Sequence, residues 1–107
     1  MYYKDNMKIL LAEDDKFISR AYTDGFKRAG FEVIPVFDGN EALVKIKAEN
    51  PDLILLDLIM PEKNGFEVLE ELKTNDKLKN IPVIVLSNLG QDSDIERAKD
   101  LGAADYM

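Results

Sequence analysis

Apolar positions along the chain follow two alternating periods. Lys8–Ala12 (KILLA) is a short apolar run followed by Glu13-Asp14-Asp15, and it reads as a buried strand. From Lys16 the period lengthens. Phe17, Ile18, Ala21, Tyr22, Phe26 and Ala29 recur at helical spacing, and Gly30 closes that helix as a C-terminal cap. Phe31–Phe37 (FEVIPVF) is a second strand. Its Pro35 has no N–H for a ladder, which places the strand at a sheet edge. Asp38-Gly39 predicts a turn and Asn40 a cap for a second helix carrying Ala42, Leu43 and Ile46, ended by Asn50-Pro51. Asp52–Asp57 is a third strand, apolar on both faces and therefore central. Met60–Gly65 (MPEKNG) reads as a loop, and Phe66, Val68, Leu69 and Leu72 form the stripe of a third helix. Asn80–Ser87 (NIPVIVLS) is a fourth buried strand. Asn88–Asp94 is a loop, with Ser93 or Asp94 capping a fourth helix through Ile95, Ala98 and Leu101, which Gly102 ends. Ala103–Met107 (AADYM) opens a further element.

Strands alternating with helices, with no repeat or low-complexity break, predict one α/β domain: a doubly wound parallel sheet with helices on both faces. The edge position of the second strand favours the order 2-1-3-4-5. In such sheets ligands bind at the C-terminal ends of the strands, beside the switch in strand order. The 107 residues suit a single domain, residues 1–107 with its core from about residue 7, and a hydrophobic content of 46% supports a packed core. A net charge of −7 argues against direct nucleic-acid binding by this domain. No apolar stretch approaches the ~18 residues of a membrane span. The opening MYYKDN is too polar for a signal peptide, and Met7 is a possible second start, so a cytoplasmic protein is expected.

The chain has no Cys and no His, so chemistry rests on carboxylates, hydroxyls, Lys and a hard cation. Glu13 and Asp14 follow the first strand and Asp57 ends the third. In a 2-1-3 order these strands are neighbours, and the three acids converge. One acid at a strand end is an ordinary solvated residue; three on adjacent strands raise one another's pKa values and invite a divalent cation. Mg²⁺, or Mn²⁺ in its place, suits an oxygen-only donor set that leaves room for water and phosphate. Ser87 ends the fourth strand, beside the third, either as a polar terminus or as a hydroxyl facing the same site. The glycines form no G-x-x-x-x-G-K phosphate cradle. The Phe and Tyr stripe of the first helix is expected in the core, and Lys77 and Lys79 in solvent.

ILLAEDD, LILLDLIMPEKNGFEVL, IPVIVLS and GAADY resemble the receiver (CheY-like) domain of bacterial two-component response regulators, over essentially the whole chain from Met7. The family has a flavodoxin-like sheet of order 2-1-3-4-5, so the edge-strand argument and the resemblance coincide rather than add. The resemblance implies that Asp57 is the phosphoacceptor and Asp14 a direct Mg²⁺ ligand. Glu13 would act mainly through water, and the Ile59 backbone carbonyl would complete the protein ligands. It implies that Ser87 hydrogen-bonds the phosphoryl group, that Tyr106 is the aromatic switch residue, and that Pro61 and Gly65 shape the loop after the acceptor. Its implied partners are a sensor histidine kinase or phosphotransfer protein as donor and a downstream effector protein or domain.

Two positions depart from the family pattern. The family carries a Lys just beyond GADY, and this sequence ends at Met107 before it. The fifth strand is then incomplete and the fifth helix absent, which exposes Val83, Val85 or their neighbours and makes self-association possible. Asn88 stands where a small Ala is common. Two other readings compete with the phosphoacceptor module. One is a degenerate receiver that binds partners without phosphorylation. The other is an aspartate-nucleophile phosphohydrolase, which would need a D-x-D pair that the contiguous Glu13-Asp14-Asp15 does not supply.

Overall fold

The computed structural model describes residues 7–86 and 92–106. The strands are β1 (Lys8–Ala12), β2 (Glu32–Val36), β3 (Leu53–Asp57), β4 (Val83–Leu86) and β5 (Asp105–Tyr106). The helices are α1 (Lys16–Arg28), α2 (Gly39–Glu49), α3 (Gly65–Lys73) and α4 (Asp92–Asp100). All pairings are parallel, in the order β2-β1-β3-β4-β5. This is the flavodoxin-like sheet expected from the sequence. Pro35 lies in β2 at the sheet edge, where its missing N–H costs no ladder bond. The fifth strand is a stub of two residues, and the described residues hold four helices.

Alternation along each strand sorts the core into two layers. Leu10, Ala12, Ile54, Leu56, Val83 and Val85 face α2, α3 and α4, where they meet Leu43, Ile46, Val68, Leu69, Leu72 and Ala98. Ile9, Leu11, Leu55 and Leu86 face the other way, against the partly buried Tyr22 and Phe26 of α1. Val83 and Val85 are fully buried on the three-helix face, so of Val83, Val85 and their neighbours the expected loss of cover falls on a neighbour. It is Ile84, of opposite parity, that stays partly exposed on the α1 side.

Three local expectations are corrected. The α2 cap is Asp38 rather than Asn40: the Asp38 side chain accepts the Glu41 N–H at 2.7 Å, so Gly39 is the first helical residue rather than part of a turn. α4 begins at Asp92, which places Ser93 and Asp94 inside the helix. Phe17 is 90% exposed and belongs to no core. At about 100° per residue it lies on the side of α1 opposite Ser19, Tyr22 and Phe26, the residues that meet the sheet. Gly30 and Gly102, at φ 99° and 103°, follow the ends of α1 and α4 as expected.

Candidate functional site: a carboxylate cluster at the C-terminal rim

The ladder of β1 runs one residue past the strand, where the Glu13 N–H donates to the Val36 carbonyl at 3.1 Å. The chain then folds its three acids into different environments. Glu13 is buried, at 6% exposure, and its Oε2 accepts the Asp15 N–H. Asp14 is exposed. Asp15 caps α1, accepting the N–H groups of Phe17 and Ile18 at 2.9 and 3.1 Å. Across the sheet, Asp57 closes β3 opposite Leu86 and is half-buried; its Oδ1 accepts the Ile59 N–H at 3.2 Å. Carboxylate oxygens of Glu13, Asp14 and Asp57 all lie within 4.8 Å of one another. The acids predicted to converge from two adjacent strands do so.

Their electrostatics follow from burial and like charge. Burial, helped by the neighbouring Asp57 and Asp14 and opposed by the Asp15 N–H, pushes the Glu13 carboxyl up to about 7. Burial likewise raises Asp57, with Asp14 adding to it and the Ile59 N–H opposing it. The side-chain hydrogen bond between Glu13 and Asp57 raises the first and lowers the second. Both carboxyls are thus pushed up, each chiefly by its own burial, and the two titrate as a pair.

The loop from Leu58 to Asn64 is fixed beside Asp57 by several devices. Leu58 and Met60 are buried anchors in the larger core layer. The Gly65 N–H closes the loop on the Leu58 carbonyl at 3.0 Å. A Cβ on Gly65 would overlap the Asp57 carbonyl oxygen and stand 2.7 Å from Leu58 Cα, so only glycine allows α3 to start this close to the end of β3. Asn64 and Glu67 form a reciprocal capping box at the start of α3. Pro61 is exposed, next to Glu62 at a left-handed φ of 67°. Ile59 is exposed at the rim. Tyr106 lies in β5 with its backbone opposite Val85. Ser87, Asn88 and the Tyr106 side chain fall outside the described residues.

Four residues support the site in ways the sequence reading does not assign. Asp15 and the Asn64/Glu67 pair carry recognisable capping signatures, an acid before an apolar period and N-x-x-E. Gly39, buried at the start of α2, carries none, because the need for glycine there arises from a distant segment.

Comparison with known proteins agrees with this geometry. The response regulator receiver domain model matches residues 9–107, and the chain belongs to that family. Among curated relatives, the alkaline phosphatase synthesis transcriptional regulatory protein PhoP of Bacillus subtilis is 36% identical over 102 residues. The match covers 95% of this chain and 42% of PhoP, so the chain spans less than half of that relative. The Mn²⁺-bound response regulator Rcp1 superposes with a TM-score of 0.87 at 38% identity, covering 94% of this chain and 79% of that one. The phosphorylated cyanobacterial phytochrome response regulator RcpA superposes with a TM-score of 0.88 at 40% identity, covering 95% and 79%. Among the described residues no helix is long and apolar enough to cross a membrane.

Proposed function

We propose that this receiver domain accepts a phosphoryl group on Asp57 in a reaction that requires a divalent cation, and that the modified state changes its affinity for an effector. The observation that carries the reading is the meeting of Glu13, Asp14 and Asp57 within 4.8 Å at the sheet rim, in a fold whose ligands bind there. The cluster contains only carboxylate donors and the chain has no His or Cys, a set that fits Mg²⁺ or Mn²⁺ rather than a softer ion. Asp14 and Asp57 would hold the cation directly, the Ile59 carbonyl would be the backbone ligand, and Glu13 would act mainly through water. The similarity to a Mn²⁺-bound and to a phosphorylated response regulator supports the cation and the phosphoryl group of this reading.

The residues divide the work. β3 and the Ile59 N–H hold the Asp57 carboxylate in one orientation, so its nucleophilic oxygen is placed before a donor arrives. A carboxylate oxygen of Asp57 bonds to phosphorus as the bond from phosphorus to the donor's leaving group breaks. With a phosphohistidine donor the imidazole leaves and takes up a proton; with a small acyl phosphate a carboxylate leaves. These 107 residues hold no His, so the phosphohistidine comes from outside them, in this reading from a sensor kinase or phosphotransfer protein. A cation held by Asp14, Asp57 and the Ile59 carbonyl would supply charge neutralisation for the phosphoryl oxygens. Ser87 and Tyr106 complete the reading as the hydroxyl that meets the phosphoryl group and the ring that follows it, shifting a two-state equilibrium at the α4 and β5 surface.

The test is incorporation from acetyl phosphate, with Mg²⁺ and with EDTA. The expected outcome is metal-dependent incorporation by the wild type and none by Asp57→Ala. Incorporation without metal, or its survival in Asp57→Ala, contradicts the reading. A folded wild type that takes up no phosphoryl group favours a phosphorylation-independent binding module.

A further inference from the structure

From the packing of α2 against the loop that follows Asp57, we infer that Gly39 is a positioning residue for the acceptor site, resting on the function proposed above. Gly39 is buried. A Cβ built on it would overlap the Lys63 carbonyl oxygen, stand 2.6 Å from the Lys63 carbonyl carbon and 2.7 Å from Lys63 Cβ. Two of these three atoms are backbone, so no rotamer change relieves the overlap. Either α2 or the loop must move.

The loop is the partner that yields. α2 is held by buried Ala42, Leu43 and Ile46 and by the short Asp38 cap. Opposite it, Pro61, Glu62 and Asn64 are exposed, and Glu62 sits at a left-handed φ. Lys63 is tied by its ammonium to Glu71 of α3 at 2.6 Å, so a displaced Lys63 is also pulled against the next helix. The same loop carries Ile59, whose N–H orients Asp57 and whose carbonyl is the proposed metal ligand. Gly39 thus sets the position of the loop from the α2 side, as Gly65 does from the α3 side. It has no contact with the reacting atoms and acts through Lys63.

Gly25 supplies a matched control. It also lies in a helix, but a Cβ there meets nothing within 4 Å. In the full chain, Gly39→Ala and Gly25→Ala are compared by urea unfolding, by Mg²⁺ titration, by incorporation rate at saturating Mg²⁺, and by the NMR shifts of the Asp57 and Ile59 amides. Gly25→Ala is expected to match the wild type in the last three. Gly39→Ala is expected to move both amides and to slow incorporation about ten- to a hundredfold, the scale of an ångström-level misplacement. The added variant Gly39→Ala/Lys63→Gly removes the Lys63 Cβ and lets residue 63 absorb the shift. It is expected to recover incorporation to near that of Lys63→Gly alone, and it carries the test if Gly39→Ala lacks a cooperative urea transition. Wild-type amide shifts and rate in a folded Gly39→Ala overturn the inference, as does a folded double variant with no recovery over Gly39→Ala or, where that variant does not fold, one slower than Lys63→Gly by the same ten- to hundredfold. Loss of incorporation by the wild type itself would instead sink the proposed function, whatever Gly39 does.

Discussion

The two segments that meet at the carboxylate cluster are built in opposite ways. The β1–α1 turn is short and supplies charge: Glu13, Asp14 and Asp15 are consecutive, and each has a separate task as buried acid, exposed acid and helix cap. Apart from one ladder bond from the Glu13 N–H to Val36, its support is local: the Asp15 N–H holds Glu13 and the Asp15 carboxylate holds α1. The β3–α3 segment is longer and supplies position. Its one acid in the cluster, Asp57, is useful only if Ile59 stays where it is, and that depends on buried Leu58 and Met60, the Gly65 contact and the Gly39 contact. Charge in a protein site can be specified locally, whereas geometry is specified by packing from elsewhere. Polar substitutions should therefore damage the first segment, and steric ones the second.

The largest effect is expected from Gly65→Ala. Its methyl group must displace the Asp57 carbonyl or Leu58, a backbone overpacking that costs about 1–3 kcal/mol. Urea unfolding should report that loss, and incorporation at Asp57 should fall to background even in the folded fraction. Wild-type incorporation by Gly65→Ala would show that the second segment is not held sterically.

A smaller and purely electrostatic effect is expected from Asp14→Asn. The side chain is exposed, so the fold should be untouched. Mg²⁺ binding should weaken about tenfold, equivalent to about 1.4 kcal/mol, as read by titration calorimetry. An unchanged titration would remove Asp14 from the ligand set.

The smallest effect is a pH dependence that separates the segments without altering their shape. Glu13 titrates near 7 in the folded chain against an ordinary 4.5, so the folded state holds the extra proton. Its contribution to stability is complete below about pH 4.5 and is lost as pH rises through 7. Without metal, the wild type should lose stability across that window, with Asp57 adding in the same direction. Glu13→Gln should flatten the profile, and saturating Mg²⁺ should reverse it, since binding favours the ionised carboxylates. A metal-free wild type whose stability rises from pH 5 to 7 would contradict the assignment.

This division also explains what could be read from the sequence. Pro35 placed β2 at a sheet edge, which favoured the order that the family resemblance also implied. The acid cluster followed from Glu13, Asp14 and Asp57 once strands one and three were neighbours. Local devices were legible in principle: the Asn64/Glu67 box has a fixed spacing, and Asp38 lay two residues from the expected cap at Asn40. Phe17 misled because a stripe of apolar residues was assigned to one face, whereas Ser19, a small polar residue, occupies the buried position. On β4 the loss of cover falls on Ile84 and not on Val83 or Val85, because parity along the strand is fixed by its partner strand. Gly39 was invisible for the most general reason. The atom that excludes a side chain there belongs to Lys63, distant in sequence, and nothing in the residues around Gly39 records it.

The central claim is that the second segment exists to present one nucleophile, and site mapping of the phosphoryl group tests it most directly. The chain is treated with acetyl phosphate and Mg²⁺, the acyl phosphate is reduced with borohydride, and the resulting homoserine is located by peptide mass spectrometry. The expected result is a single modified position at residue 57, absent when EDTA replaces Mg²⁺. Modification at Glu13, Asp14 or any other carboxylate in place of Asp57 would contradict it.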